Sequence, residues 1–277
     1  MLGLPYIQHV RNPVRKPIAQ YGFQLARWII ANSNAVAVDL QSDRRFAPKT
    51  LTIHNAVNLS RYESEENQRA ELGAGDRPII GFVGQIVPRK GVTTLIRAMP
   101  AILQKVPSAL LVIVGCPPPD ETEYESECRL FVKHLGLESA VRFVGYRRDI
   151  PAWMRTFTIF ALPTQSEPFG KVVIEAMAAA RPVVVSNVGG IPEIVSQPAL
   201  GTLIPPDNPE ALSAGILRYL TDPALAANVS DLAAKHVRAN FALEGMIDRL
   251  EDVYARTMSQ SHLTNAAHGY AGISPTR

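Results

Sequence analysis

The chain has 277 residues, 47% hydrophobic and 19% charged, with 28 Lys and Arg against 25 Asp and Glu and a net charge of +3. This composition excludes a disordered or collagen-like chain, and the two cysteines, Cys116 and Cys128, are too few for a disulfide framework and lack metal-ligand spacing. No apolar run reaches the roughly 18 residues of a membrane span, and the first residues carry no secretory pattern, so a cytoplasmic protein with reduced thiols is expected.

Residues 1–60 read as the closing part of an α/β domain. Residues 17–30 suit a helix; the Trp28–Leu40 stretch suits a strand followed by a helix capped at Asn32 or Ser33; residues 51–57 suit another strand. Seven cations stand against two acids here, a net +5 that leaves −2 for the rest. Such a stretch is either a plain solvated surface or a peripheral contact with an anionic membrane or acceptor. Residues 61–77 are polar and read as a linker.

From 78 to 205 short apolar runs alternate with helical ones. Strands are expected at 78–84, 109–115, 140–145, 157–163, 182–187 and 201–205, and helices at 91–106, 122–136, 171–180 and 191–196. Fully apolar strands alternating with helices imply a parallel sheet covered on both faces, hence an α/β, doubly wound, Rossmann-like domain. Helices follow at 208–221, 223–239 and 242–258, and the tail 259–277 has no periodicity and is expected to be disordered.

Four loops carry chemistry. Ser166–Glu175 follows a strand and opens a helix, so its backbone N–H groups and helix dipole suit a diphosphate. Glu167 precedes that helix and Glu175 lies one turn inside it, on the face of Lys171; two carboxylates flanking a helix start could accept bonds from the hydroxyls of one ligand, or serve as a capping acid and a surface acid. Gly84–Gly91 brackets Arg89 and Lys90 between glycines, a phosphate-compatible loop without the Walker pattern, and equally an ordinary basic surface loop. Gly145–Pro151 places Tyr146 and Arg147 at a strand end, where they could line a base pocket, while Asp149 could cap a helix beginning at Pro151. Val188–Glu193 is a Gly-rich turn. No Asp-x-Asp pair and no cluster of His, Cys and acid at metal spacing appears, so a metal-dependent reaction is disfavoured, and no nucleic-acid-binding motif is present.

In this order, the four loops resemble those of the retaining GT-B glycosyltransferases of family 4. Residues 166–195 are similar to that family's region of two glutamates separated by seven residues, and Gly81–Gly91, Val141–Pro151 and Gly201–Leu212 are similar to its other signatures. The resemblance implies two Rossmann-like domains: 1–60 a remnant of the acceptor-side domain, 78–240 the nucleotide-sugar-binding domain, and 241–258 a C-terminal helix returning to the first. It implies that Glu167 contacts donor-sugar hydroxyls, Glu175 the ribose, and Lys90 the diphosphate. Phe169, Gly170, Lys171 and Val172 would offer backbone contacts to the donor, Tyr146 and Arg147 would lie near the base, and Gln85 and Arg89 would flank the donor. Gln85 stands where the family usually has arginine. On the acceptor side the family's histidine position aligns with Arg11, with His9 two residues earlier. The resemblance further implies hexosyl transfer, with no metal or prosthetic group and a nucleotide diphosphate sugar as co-substrate, to a glycan or lipid-linked acceptor, in the cytoplasm or at the inner membrane face. The first domain is shorter than the family's, which implies N-terminal truncation and opens the alternative of a non-catalytic nucleotide-sugar-binding module.

Overall fold

The computed structural model describes residues 6–13 and 19–268. Arg15 and Lys16 of the basic stretch, and the tail beyond 268, lie outside the described residues. The chain divides into two compact units, one formed by Met1–Asn55 with Glu244–Arg277 and the other by Ala56–Leu243.

In chain order the elements of the first unit are β1 (Ile7–Val10), α1 (Ala19–Leu25), β2 (Trp28–Ala31), α2 (Asn34–Ser42) and β3 (Thr50–Thr52). The second unit holds α3 (Arg69–Leu72), β4 (Ile79–Val83), α4 (Val92–Lys105), β5 (Leu110–Val114), α5 (Glu123–His134), β6 (Val141–Gly145) and α6 (Ile150–Thr156). It continues with β7 (Ile159–Leu162), α7 (Lys171–Ala178), β8 (Val183–Ser186), α8 (Ile191–Ile194), β9 (Thr202–Ile204), α9 (Pro209–Leu220) and α10 (Pro223–Asn240). The last helix is α11 (Leu243–His268).

The first unit has a parallel sheet in the order β1-β2-β3. Successive residues of a strand point to opposite faces. Ile29 of β2 accordingly joins Phe23, Val36 and Leu40 on one side, while Ile30 joins Ile53 and Val253 on the other, with Met246 and Leu250 of α11. The helix expected over 17–30 ends at Leu25, because the β-branched and aromatic run of β2 pairs on both edges instead. Ser33 is the residue that caps α2, its hydroxyl accepting from Val36 N at 3.1 Å.

The second unit is a six-stranded parallel sheet in the order β6-β5-β4-β7-β8-β9. Every residue of β4 but Val83, and every residue of β5, β7 and β8, is buried, as strands covered on both faces must be. The sheet grows outward in two directions from β4, so the switch point falls between β4 and β7.

Two expectations need correcting. Residues 61–77 are not a free linker: the second unit starts at Ala56, Tyr62 is buried, and Gln68 N donates to Thr156 Oγ1 at 2.7 Å. The Arg69 guanidinium bonds the carbonyls of Gly75, Arg77 and Thr156, so polar side chains here serve the core's backbone. Nor does disorder begin at 259, since α11 runs on to His268; after Gly245 in its first turn, no glycine or proline interrupts the sequence until Gly269. Among the described residues no helix is long and apolar enough to cross a membrane.

Candidate functional site

The carboxyl ends of β4 and β7 meet at the switch point, and their loops are tied together. Arg89 O accepts from Gln165 N at 2.7 Å and from Thr164 Oγ1 at 2.9 Å. Gly91 closes the first loop with φ +71°, and a Cβ there would lie 2.0 Å from Pro163 O, so no other residue fits without displacing the β7 loop. The third loop is equally tight: a Cβ on Gly189 (φ +54°) would lie 1.9 Å from Glu167 O, which accepts from Gly190 N at 3.0 Å.

This packing joins two residues 77 positions apart. Lys90 Nζ sits 2.5 Å from Glu167 Oε2, with side chains 12% and 13% exposed. Gly170 caps α7, whose first turn points its free N–H groups and positive dipole end into the same loop cluster. The Phe169 side chain is buried and packs on Phe241 at a centroid distance of 5.9 Å, so it fixes the turn from below. Lys171 is exposed and reaches Glu175 only at 3.7 Å. Burial pushes the Glu175 carboxyl above its ordinary range, against the pull of Lys171 and Arg61. The Tyr62 phenol is raised as well, by burial first and then by the Glu175 charge.

Beside this cluster lies a cleft of about 640 Å³ within the second unit, in the range of pockets that hold a whole small ligand. Gln85, Tyr146, Arg147 and Glu175 line it. Arg147 is held by an ion pair to Glu71 at 2.7 Å and lies 5.5 Å from the Trp153 ring, whereas Tyr146 stands 65% exposed at the mouth. Lys90, Glu167, Phe169, Gly170, Lys171 and Val172 are not in the lining; they form the neighbouring loop cluster, and Arg89 reaches Gln85 Oε1 at 3.5 Å. Asp149 does occupy the cap position of α6, but its side chain accepts from Gln68 Nε2 at 2.7 Å and makes no cap bond.

The cleft also includes residues that sequence reasoning passed over. Arg61 and Tyr62 come from the segment read as linker, and Cys116–Pro119 forms a wall after β5. The available signal was positional: Gly115–Pro119 follows a buried strand, as the other candidate loops do, and Ile86 N donates to Cys116 O at 3.1 Å. His9 and Arg11 belong to the first unit, where His9 Nε2 lies 3.3 Å from Tyr254 Oη.

Comparison with known proteins identifies the family. The family described as glycosyl transferases group 1 matches residues 64–236. A lipopolysaccharide core biosynthesis mannosyltransferase of Rhizobium leguminosarum bv. viciae is 30% identical over 233 residues, covering 82% of this chain and 66% of the relative. A D-inositol 3-phosphate glycosyltransferase of Streptomyces avermitilis is 31% identical over 249 residues, covering 84% of this chain and 52% of its own length. The chain thus spans between about half and two thirds of these curated relatives. Among solved structures, an Anabaena protein crystallised with UDP and glucose superposes with a TM-score of 0.82 at 26% identity, covering 91% of this chain and 71% of that one. With an α/β fold of parallel sheets matching GT-B glycosyltransferase structures, the chain belongs to the glycosyl transferases group 1 family.

Proposed function

We propose that this chain carries the donor site of a retaining, family 4 glycosyltransferase that moves a hexosyl group from a nucleotide diphosphate sugar to a glycan or lipid-linked acceptor. The observation that carries the reading is the Lys90–Glu167 pair at the sheet's switch point, beside the first turn of α7. An ammonium has three donors. One engaged with Glu167 leaves two to face a diphosphate, and the N–H groups of Gly170, Lys171 and Val172 add their dipoles. Glu167 then takes hydroxyls of the sugar and Glu175 those of the ribose, with Tyr146, Arg147 and Gln85 around the base and Arg89 near the diphosphate. The names of the relatives, and the UDP and glucose bound by the Anabaena protein, support a hexose donor and a saccharide or polyol acceptor.

In the proposed reaction the bond from the anomeric carbon to the diphosphate breaks, and the acceptor oxygen bonds that carbon on the same face. The acceptor proton passes to the departing diphosphate. Lys90 and the helix start stabilise the charge that develops on the leaving group, the term that usually dominates such catalysis. Neither metal nor prosthetic group enters this scheme. Action in the cytoplasm, with the basic first stretch near an anionic membrane face, belongs to the same reading.

Calorimetric titration of the chain with UDP-, GDP- and ADP-sugars, in EDTA, tests it. One nucleotide class should bind, and Glu175→Ala should weaken that binding about tenfold or more, as for loss of charge-assisted bonds. Glu167→Gln should spare the nucleotide and lose discrimination between sugars. Unchanged behaviour in both variants, or binding that needs a divalent metal, would sink the assignment.

A further inference from the structure

The amino ends of β4, β7 and β8 lie at the opposite end of the sheet from the Lys90–Glu167 loops, and arginines gather where the chain enters those strands. The ordinary task of an arginine here is to satisfy backbone carbonyls. Arg77, just before β4, donates to the carbonyls of Ser108, Ala109 and Ser139. Arg69 donates to three carbonyls, and its Nη1 reaches Thr156 O at 3.2 Å. Arg181, just before β8, donates to Ala179 O at 2.9 Å and to Phe157 O at 3.0 Å. Two guanidinium groups therefore rest on successive carbonyls, those of Thr156 and Phe157, at the end of α6.

Arg155 directly precedes these two residues and departs from the pattern. Its Nη2 is buried with no hydrogen-bond partner. Arg181 in turn engages only two of the five N–H groups that a guanidinium carries. No ion pair among the described residues involves Arg69, Arg155 or Arg181. The three groups are close enough to repel one another: burial first, and then the charges of Arg155 and Arg69, lower the Arg181 pKa. Each of the three residues is half-buried, so the cluster is open to a small ion yet poorly screened by water. None of them lines the 640 Å³ cleft.

Converging cations with an unpaired buried donor are stabilised by an anion that accepts from all of them. A tetrahedral oxyanion suits this best, because two of its oxygens match the fork of one guanidinium while the others take bonds from the neighbours. We propose that Arg69, Arg155 and Arg181 form a second anion site, for inorganic phosphate or a phosphomonoester, at the amino ends of the strands. This site does not depend on the glycosyl-transfer reading.

The test is a ligand-observed phosphorus NMR titration of the full chain, in phosphate-free buffer of fixed ionic strength, with inorganic phosphate and with glycerol 3-phosphate. At least one should bind, and the tighter of the two names the source, free ion or monoester. Arg155→Met should weaken that binding at least about tenfold, as for loss of a charge-assisted contact. Without phosphate the same variant should melt no lower than the parent, since it removes an unpaired buried donor and one of three like charges. Arg155→Lys, which keeps the charge and loses the fork, should bind with an affinity between those two. Failure of both anions to bind would overturn the proposal. So would binding that Arg155→Met leaves unchanged, because the anion would then sit elsewhere, as at the start of α7. A lower melting midpoint for Arg155→Met in phosphate-free buffer would also overturn it, by making Arg155 a structural contact.

Discussion

Two lysine–glutamate pairs sit within one loop cluster, and they are built differently. Lys90 and Glu167 come from different βα loops, lie 2.5 Å apart and are nearly buried. Lys171 and Glu175 are one helical turn apart on α7, 3.7 Å from each other, with the lysine 59% and the glutamate 18% exposed. In the first pair each charge is the other's replacement for water. In the second the carboxylate has lost its water without gaining a close partner, and its raised pKa records the loss. One pair is thus part of the fold's architecture, and the other leaves a carboxylate in want of hydrogen-bond donors.

The sharpest way to break this contrast is Lys90→Met. Removing one partner of a buried pair costs about 3–5 kcal/mol, so urea unfolding should show a loss of that order, and adding Glu167→Gln should return part of it. Additive losses would mean the two charges do not act as a pair. Next in size is Gly189→Ala, which forces a Cβ against Glu167 O at 1.9 Å from a left-handed backbone. It should cost about 1–3 kcal/mol and weaken nucleotide-sugar binding in calorimetry, and an unaffected variant would show that the third loop does not set Glu167. Glu175→Gln probes the other pair through pH. Because the folded pKa is raised from the ordinary 4.5, the carboxyl's contribution is present below that value and is lost as pH rises through the folded one. The variant's unfolding free energy should therefore be flatter than the parent's from pH 4.5 upward, and parallel curves would refute the assignment. Smallest is Lys171→Ala, worth about 0.3–0.5 kcal/mol as an exposed helical pair; a loss of several kcal/mol would make the two pairs alike.

Much of this arrangement was legible in the residues, for identifiable reasons. Buried strands such as Leu110–Val114 declare themselves because a parallel sheet needs apolar side chains on both faces, and the helix starts follow from the glycines and caps before them. The members of each site loop could also be read, since they lie within a few residues of a strand end. Which loops meet could not: the joining of Lys90 to Glu167 depends on β4 and β7 being neighbours, and strand order is not written in local spacing. Residues 61–77 misled for a different reason. Arg69 looks like a surface cation in sequence, yet its guanidinium satisfies three backbone carbonyls. Asn32 looked like a helix cap and yielded that task to Ser33, which leaves its amide facing a pocket.

The division of the chain has a consequence for how the molecule is made. The second unit is continuous, Ala56–Leu243, while the first is interrupted and needs residues from both sides of it. Val57 and Ala242 form a parallel bridge, with Val57 N donating to Phe241 O at 2.9 Å, so the second unit's two ends are stapled side by side. Domains fold as units while the chain leaves the ribosome. The six-stranded unit can therefore close as soon as residue 243 has emerged, whereas the three-stranded unit waits for α11, which follows the whole of the second unit in the chain, to cover Ile30 and Ile53.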